Sequence, residues 1–337
     1  MKSYLKFILH RLLWSVFVLA GLSILIFSIA RIMPGDAATM ALGTRATEEA
    51  KEAYRERNHL NEPFPVQYVY WLKDALSGDF GQSTQTKRPV VQDVQEYLPA
   101  TLELVLFAAA LEVIFGILLG VLSARYEGGW FDNFIRVVSY LGIAMPSFVW
   151  GILFMLAFSY AIPIMPAIGR IDVGIVQPPT VTGFLILDSL IAGNGAAALN
   201  ALKHLVMPAA ALSLAGISQS ARITRGSMLE NMKKDSVGSE IASGMPLRRV
   251  YGKYILKSSA TPTVSIIGLD IAAMLGNAFL VETIYNFPGL SKYGVNAILN
   301  KDLNAIVAVV LIIGVTFLIV NILVDLITAY LDPRVRL

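Results

Sequence analysis

Apolar runs long enough to cross a bilayer recur along this chain and constrain its fold more than any other feature. A helix traversing the hydrocarbon core needs about 20 mostly apolar residues. Runs of that kind fall at 12–32, 101–124, 205–223, 262–281 and 305–330, and a sixth, 134–162, carries Pro146 within it. Only 15% of residues are charged, against about 25% in an ordinary soluble domain. The apolar residues come in blocks instead of at amphipathic spacing, so the composition is not that of a soluble core. The expected fold is an all-α membrane bundle of six transmembrane helices.

The first run follows Lys2, Lys6 and Arg11, a pattern shared by signal peptides, and residues 28–30 loosely resemble a cleavage site. Its length exceeds the roughly 7–15 residues of a signal core, which favours an uncleaved span. The chain then divides into 1–33 (N-terminus and first span), 34–98 (polar subdomain) and 99–337 (a core of five spans). The 34–98 segment is acid-rich and sparse in the Gly and Ser of a flexible tether. Residues 46–58 have helix-forming composition, broken by Pro63 and Pro65. Residues 184–191 are apolar but too short to span, as expected of a segment lying on the membrane surface.

Six spans place both termini on one side. That side collects Lys2, Lys6, Arg11, Arg125, Arg136, eight Lys or Arg between Arg222 and Lys257, and Arg334 with Arg336. Lys and Arg accumulate in short cytoplasmic loops. Both termini are thus expected in the cytoplasm and the 34–98 subdomain outside.

Several chemistries lack their residues. The chain has no cysteine, and its three histidines, His10, His59 and His204, have no metal-ligand spacing. It has no Gly-x-x-x-x-Gly-Lys phosphate loop, no His-Glu-x-x-His and no Gly-x-Ser-x-Gly. The expectation is a chain that is not an enzyme and carries no cofactor or metal. The basic loop is better explained by topology than by nucleic-acid binding.

The most informative segment is the connector at 225–257. Gly238, Ser239, Ala242 and Ser243 are small enough for a short helix to present a close-packing surface. Gly244 can adopt the left-handed conformation that ends such a helix. Arg248, Arg249, Lys253 and Lys257 then lead back toward the membrane. A basic loop that only sets topology is the plainer reading, but the segment is long for a simple connection.

This connector resembles the EAA motif of the permease subunits of binding-protein-dependent ABC importers, in the dipeptide, oligopeptide and nickel branch. Asp235, Ala242, Gly244 and Met245 fall at motif positions, and Pro262 matches that branch's proline. Ser236, Glu240 and Ser243 depart from the usual aromatic, alanine and lysine. Further similarities run along the chain: Arg31-Ile-Met-Pro-Gly-Asp36, Gly78-Asp-Phe-Gly-Gln-Ser83, Leu98-Pro-Ala-Thr-Leu-Glu-Leu104, Glu282-Thr-Ile-Tyr-Asn-Phe-Pro-Gly-Leu290, Val324-Asp325 and Asp332-Pro-Arg334.

The resemblance implies a subunit that translocates short peptides by alternating access. Nickel chelates, glutathione and oligosaccharides are the substrates of similar branches. It implies a homologous second permease, two cytoplasmic ATPases carrying ATP and Mg, an external binding protein and a multi-pass place in the inner membrane. The docking surface would comprise Asp235, Gly238, Ser239, Glu240, Ala242, Gly244, Met245, Arg248 and Arg249. It also implies that the segment after Phe287-Pro-Gly289 dips back toward the pore.

Charged groups inside a span are costly and are functional candidates by default. Asp270 and Glu112 are the candidates for the path, with Met145 and Pro146 as a hinge. Glu103 is expected near one interface and Asp325 near the opposite one. Gly268 and Gly276 suit close helix packing. A secondary transporter and a non-transporting scaffold are the rival classes. The first would carry an internal repeat, and none is evident.

Overall fold

The computed structural model describes residues 2–32, 36–43 and 45–331. Residues 33–35 of the first similarity and the tail with Arg334 and Arg336 lie outside them. Among the described residues the secondary structure is helical, with no β-strand.

Helix α1 (Lys2–Ile32) holds the first span. Its apolar side chains are largely exposed, Leu13 by 69% and Phe17 by 70%, as a lipid-facing helix requires. Three short helices follow: α2 (Ala37–Leu42), α3 (Glu48–Arg57) and α4 (Phe64–Leu76). Helix α3 is capped by Thr47, whose hydroxyl accepts from the Ala50 amide. Helix α4 packs against α1 through Phe27 and Trp71, and Tyr68 bonds Ser23 at 2.7 Å.

The second span is longer than its apolar run. Helix α5 (Val90–Leu111) passes through a π-helical turn, Glu112–Gly116, into α6 (Ile117–Arg125). It begins eleven residues before position 101, so the boundary drawn at 98 falls inside a helix. The polar residues of the early turns are held by partners in the fold: Asp93 is buried and bonded by Arg88, Thr86 and Tyr293.

The third run is not one kinked helix. Helix α7 (Trp130–Ala144) and α8 (Ser147–Met155), which ends in a π-helical stretch to Ala161, are bent by 108° about Met145 and Pro146. Proline excludes the helical conformation from the residue before it, and Met145 is extended. The break then starts a new helix at Ser147. Among the described residues five helices are long and apolar enough to cross a membrane, and this bent pair is the sixth if it counts as one span.

After α9 (Leu185–Ile191), helix α10 (Gly195–Met232) runs for 38 residues. It extends well beyond the 205–223 run at both ends, so Pro208 lies inside it and not in its first turn. It also takes in the start of the connector. The connector continues as α11 (Asp235–Ala242), α12 (Leu247–Arg249), a π-helical stretch to Ile255 and α13 (Leu256–Ser258). Helices α14 (Ala260–Ile284), α15 (Leu290–Leu299) and α16 (Leu303–Leu331) complete the described residues.

Helix α10 is the central post, packed on α5, α6, α7, α8, α9 and α14. The main core joins Leu104, Val105 and Ala108 of α5, Leu205 and Leu212 of α10, and Leu275 and Ala278 of α14. The approach of α6 to α10 is close because Gly116 and Gly120 face Ser220 and Thr224. A Cβ at Gly120 would lie 2.5 Å from the Thr224 Cβ. Small residues four apart allow this in a membrane, where dispersion replaces the hydrophobic effect as the driving force. Gly268 likewise abuts Val324, whereas Gly276 has nothing within 4 Å among the described residues.

Candidate coupling surface and membrane-embedded carboxyls

Helix α11 carries one buried side chain. Val237 enters an apolar cluster with Ala124 of α6, Met228 of α10, Val250 and Ile255. Gly238, Ser239, Ile241, Ala242 and Ser243 face outward, and Ile241 is 48% exposed. The helix ends in a Schellman turn. The Gly244 amide donates to the Ile241 carbonyl (3.0 Å), and the Met245 amide donates to the Glu240 carbonyl (3.3 Å). Gly244 has φ +79°, where a side chain is strained, and the space beyond its Cα is open. Glu240 and Met245 are half-buried. Asp235, Arg248 and Arg249 are exposed, and among the described residues their side chains make no ion pair. The surface is a small-residue face, flanked by exposed Ile241 and Leu247, on a firmly anchored short helix.

An ion pair ties this end together. Arg225 of α10 donates through Nε and Nη2 to the two oxygens of Asp132 at 2.6 and 2.7 Å. Asp132 is fully buried and also accepts from the Gly128 amide. The bidentate geometry fixes the start of α7 on α10. In the sequence Arg225 is one of several basic residues at the start of the connector, and Asp132 is an acid in a short polar turn, which gives no sign that the turn is buried.

Glu112 and Asp270 meet deep in the bundle. Glu112, in the π-helical turn, is fully buried, and its Oε1 accepts from Ser220 of α10 at 2.7 Å. Its Oε2 lies against Gly216, where a Cβ would sit 2.5 Å away. Asp270 of α14 accepts weakly from Gln219 at 3.4 Å. The two carboxyls approach each other, and one oxygen of each is buried with no donor among the described residues. Insertion of a residue in a π-turn re-aims one side chain off the regular helix face and recurs at functional positions. Asp325 instead pairs with Arg11 at 2.8 Å, joining α16 to α1. Met145 and Pro146 form the α7–α8 break, where the preceding turn presses Gly142 onto Ser218.

The opposite end holds further carboxylates that apolar-run reasoning missed or left without partners. Glu103 pairs with Arg170 and accepts from the Ile186 amide. Asp302 accepts from Ser83 at 2.6 Å. Asp188 of α9 accepts from the amides of Val181, Thr182 and Gly183. Burial alone would raise the Asp188 carboxyl, but these bonds and the Thr182 hydroxyl together hold it below the usual range. Residues 184–191 are thus pinned to a loop through Asp188. Glu282, at the end of α14, accepts from the Thr101 hydroxyl and the Lys292 amide. It thereby caps α15, the segment expected to dip back. The signal available was an acid at the edge of an apolar run; its partners lie far away in sequence.

Comparison with known proteins agrees with this architecture along the whole chain. Residues 116–337 match the family described as binding-protein-dependent transport system inner membrane component. Residues 4–105 match that family's N-terminal region. The chain is 35% identical over 329 residues to the probable D,D-dipeptide transport system permease protein DdpB of Escherichia coli K12, covering 97% of each. It is 34% identical over 334 residues to the dipeptide transport system permease protein DppB of Alkalihalophilus pseudofirmus, covering 98% of this chain and 99% of that one. The di/tripeptide permease DppB of Pseudomonas aeruginosa is 32% identical over 333 residues, with 98% and 99% covered. With its helical bundle and apolar spans, the chain belongs to the family of binding-protein-dependent transport system inner membrane components.

Proposed function

We propose that this subunit carries short peptides into the cytoplasm by alternating access, driven by ATP hydrolysed on other chains. The observation that carries the reading is the α11 connector: a small-residue face, anchored by Val237 and closed by Gly244, offers a partner protein a close approach. Two cytoplasmic ATPases, which would hold the ATP and Mg, dock there, with Asp235, Gly238, Ser239, Glu240, Ala242, Met245, Arg248 and Arg249 around Gly244. Names of relatives as dipeptide and di/tripeptide permeases support the peptide class. A homologous second permease and an external binding protein complete the assembly.

The Lys and Arg asymmetry supports a cytoplasmic position for the termini and the connector and an external one for residues 34–98. Glu112 and Asp270 are the path candidates, because two carboxyls facing each other inside a span are costly unless used. Met145 and Pro146 supply a ready break for helix movement.

The test is reconstitution with the ATPase, second-permease and binding-protein subunits. Dipeptide uptake should require all of them, and the chain alone should hydrolyse no ATP. Single cysteines at Gln85 and Ser239 should label from outside and inside respectively. Hydrolysis by the isolated chain, or labelling of position 85 from the cytoplasm alone, would overturn the reading.

A further inference from the structure

Away from the connector and the carboxyl pair, a cavity of about 140 Å³ opens between the end of α1, helices α3 and α4, and the start of α16. Its walls are aromatic. The Phe27 and Trp71 rings lie 5.2 Å apart, and Tyr70 stacks on His59 at 3.8 Å. Four charged side chains line it: Arg31, Asp74, Asp79 and Lys301. Asp79 accepts from the Gly81 amide; the side chains of the other three have no ion-pair or hydrogen-bond partner among the described residues. Arg31 sits over the Phe27 ring at 5.1 Å, and its Nε is buried with no acceptor.

A buried N–H with no acceptor is costly, and more so when it belongs to a charged group. An anionic oxygen would relieve that cost, and Lys301 would add a second cation. Asp74 asks for the opposite charge, so the fitting ligand is a zwitterion. The face of α1 that carries Arg31 exposes Ile24 and Phe17 at successive seven-residue steps, a surface suited to acyl chains. Tyr and Trp are the residues of the membrane–water boundary.

We infer that this cavity binds the headgroup of an aminophospholipid in the adjoining leaflet, with phosphate at Arg31 and Lys301, amine at Asp74 and acyl chains along α1. The site would tie the α3–α4 subdomain to the bilayer through a lipid.

The test is native mass spectrometry of the full chain in mild detergent. Phosphatidylethanolamine, phosphatidylcholine and phosphatidylglycerol are added in turn, then inorganic phosphate and dialanine as competitors. Phosphatidylethanolamine should be retained most. Arg31→Ala should weaken retention about tenfold, the scale of one lost charge-assisted interaction. Lys301→Ala should weaken it less, and Asp74→Asn should erase the preference over phosphatidylglycerol. Leu141→Ala, exposed on α7 and away from the cavity, should change nothing. If Arg31→Ala does not fold, the two exposed positions still read out the site. Wild-type lipid retention in both Lys301→Ala and Asp74→Asn would overturn the inference. So would full displacement by millimolar inorganic phosphate, which would assign a free-anion site, or by dialanine, which would assign a peptide subsite.

Discussion

The carboxylate of Glu282 fills the space that a side chain at Gly289 would occupy: a Cβ built there would collide with both carboxyl oxygens. The same carboxylate receives the Lys292 amide at 2.8 Å, and Thr101, which donates to Glu282, itself accepts from the Leu290 amide at 2.8 Å. An acid at a helix N-terminus is stabilised by the free amides and the helix dipole. Glu282 and Thr101 therefore set where α15 begins. Gly289→Ala should cost about 1–3 kcal/mol, the range for overpacking a filled site. Thermal unfolding in detergent measures it, and adding Glu282→Asp, one methylene shorter, should recover part of the loss.

Gly244→Arg should abolish ATP-driven uptake while the spans still assemble. The substitution puts an l-residue at φ +79°, worth roughly 1–2 kcal/mol of local strain, and a large cation on the proposed docking face. Gly244→Asn separates the two effects, because asparagine tolerates the left-handed region. It should retain ATPase association better than the arginine variant. Pull-down of the ATPase and peptide uptake measure both; wild-type association in Gly244→Arg would sink the docking role.

Asp132→Asn should destabilise the α7–α10 junction by on the order of 3 kcal/mol, since it leaves Arg225 without its buried carboxylate partner. The side chain of Asp132 is fully buried and that of Arg225 is 22% exposed, so the loss should exceed that of a surface pair. The double variant Asp132→Asn with Arg225→Gln should be less destabilised than the single one. A double-mutant cycle on unfolding midpoints measures the coupling.

Asp188 makes the loop over residues 181–183 sensitive to acid. Its native carboxyl is held below the usual value by bonds from Thr182, Val181 and Gly183 that together outweigh burial. A depressed native value gives stability that is present above the unfolded value, about 3.9. That stability is lost as pH falls through the lower native value. Hydrogen exchange at residues 181–192 should stay slow at neutral pH and quicken below about pH 4. Asp188→Asn should exchange faster at pH 7 and lose the pH dependence.

The sequence by itself determined the number and placement of the apolar runs. A helix must satisfy its own backbone in lipid, and only run length decides whether it can span. It also marked the left-handed glycine that ends α11, because that requirement is local to Gly244 and its neighbours. Tertiary structure decided the rest. Pro146 announced a kink, but packing of α8 against α10 and α14 settled how far the chain turns. Span ends were misjudged at Val90 and Met232 because polar residues such as Asp93 and Arg225 found partners that composition does not reveal. Glu282 meets Thr101 across 181 residues and Arg225 meets Asp132 across 93. Such pairs exist only once several helices pack together, since each charge is tolerable in the bundle only where another element supplies its counterpart.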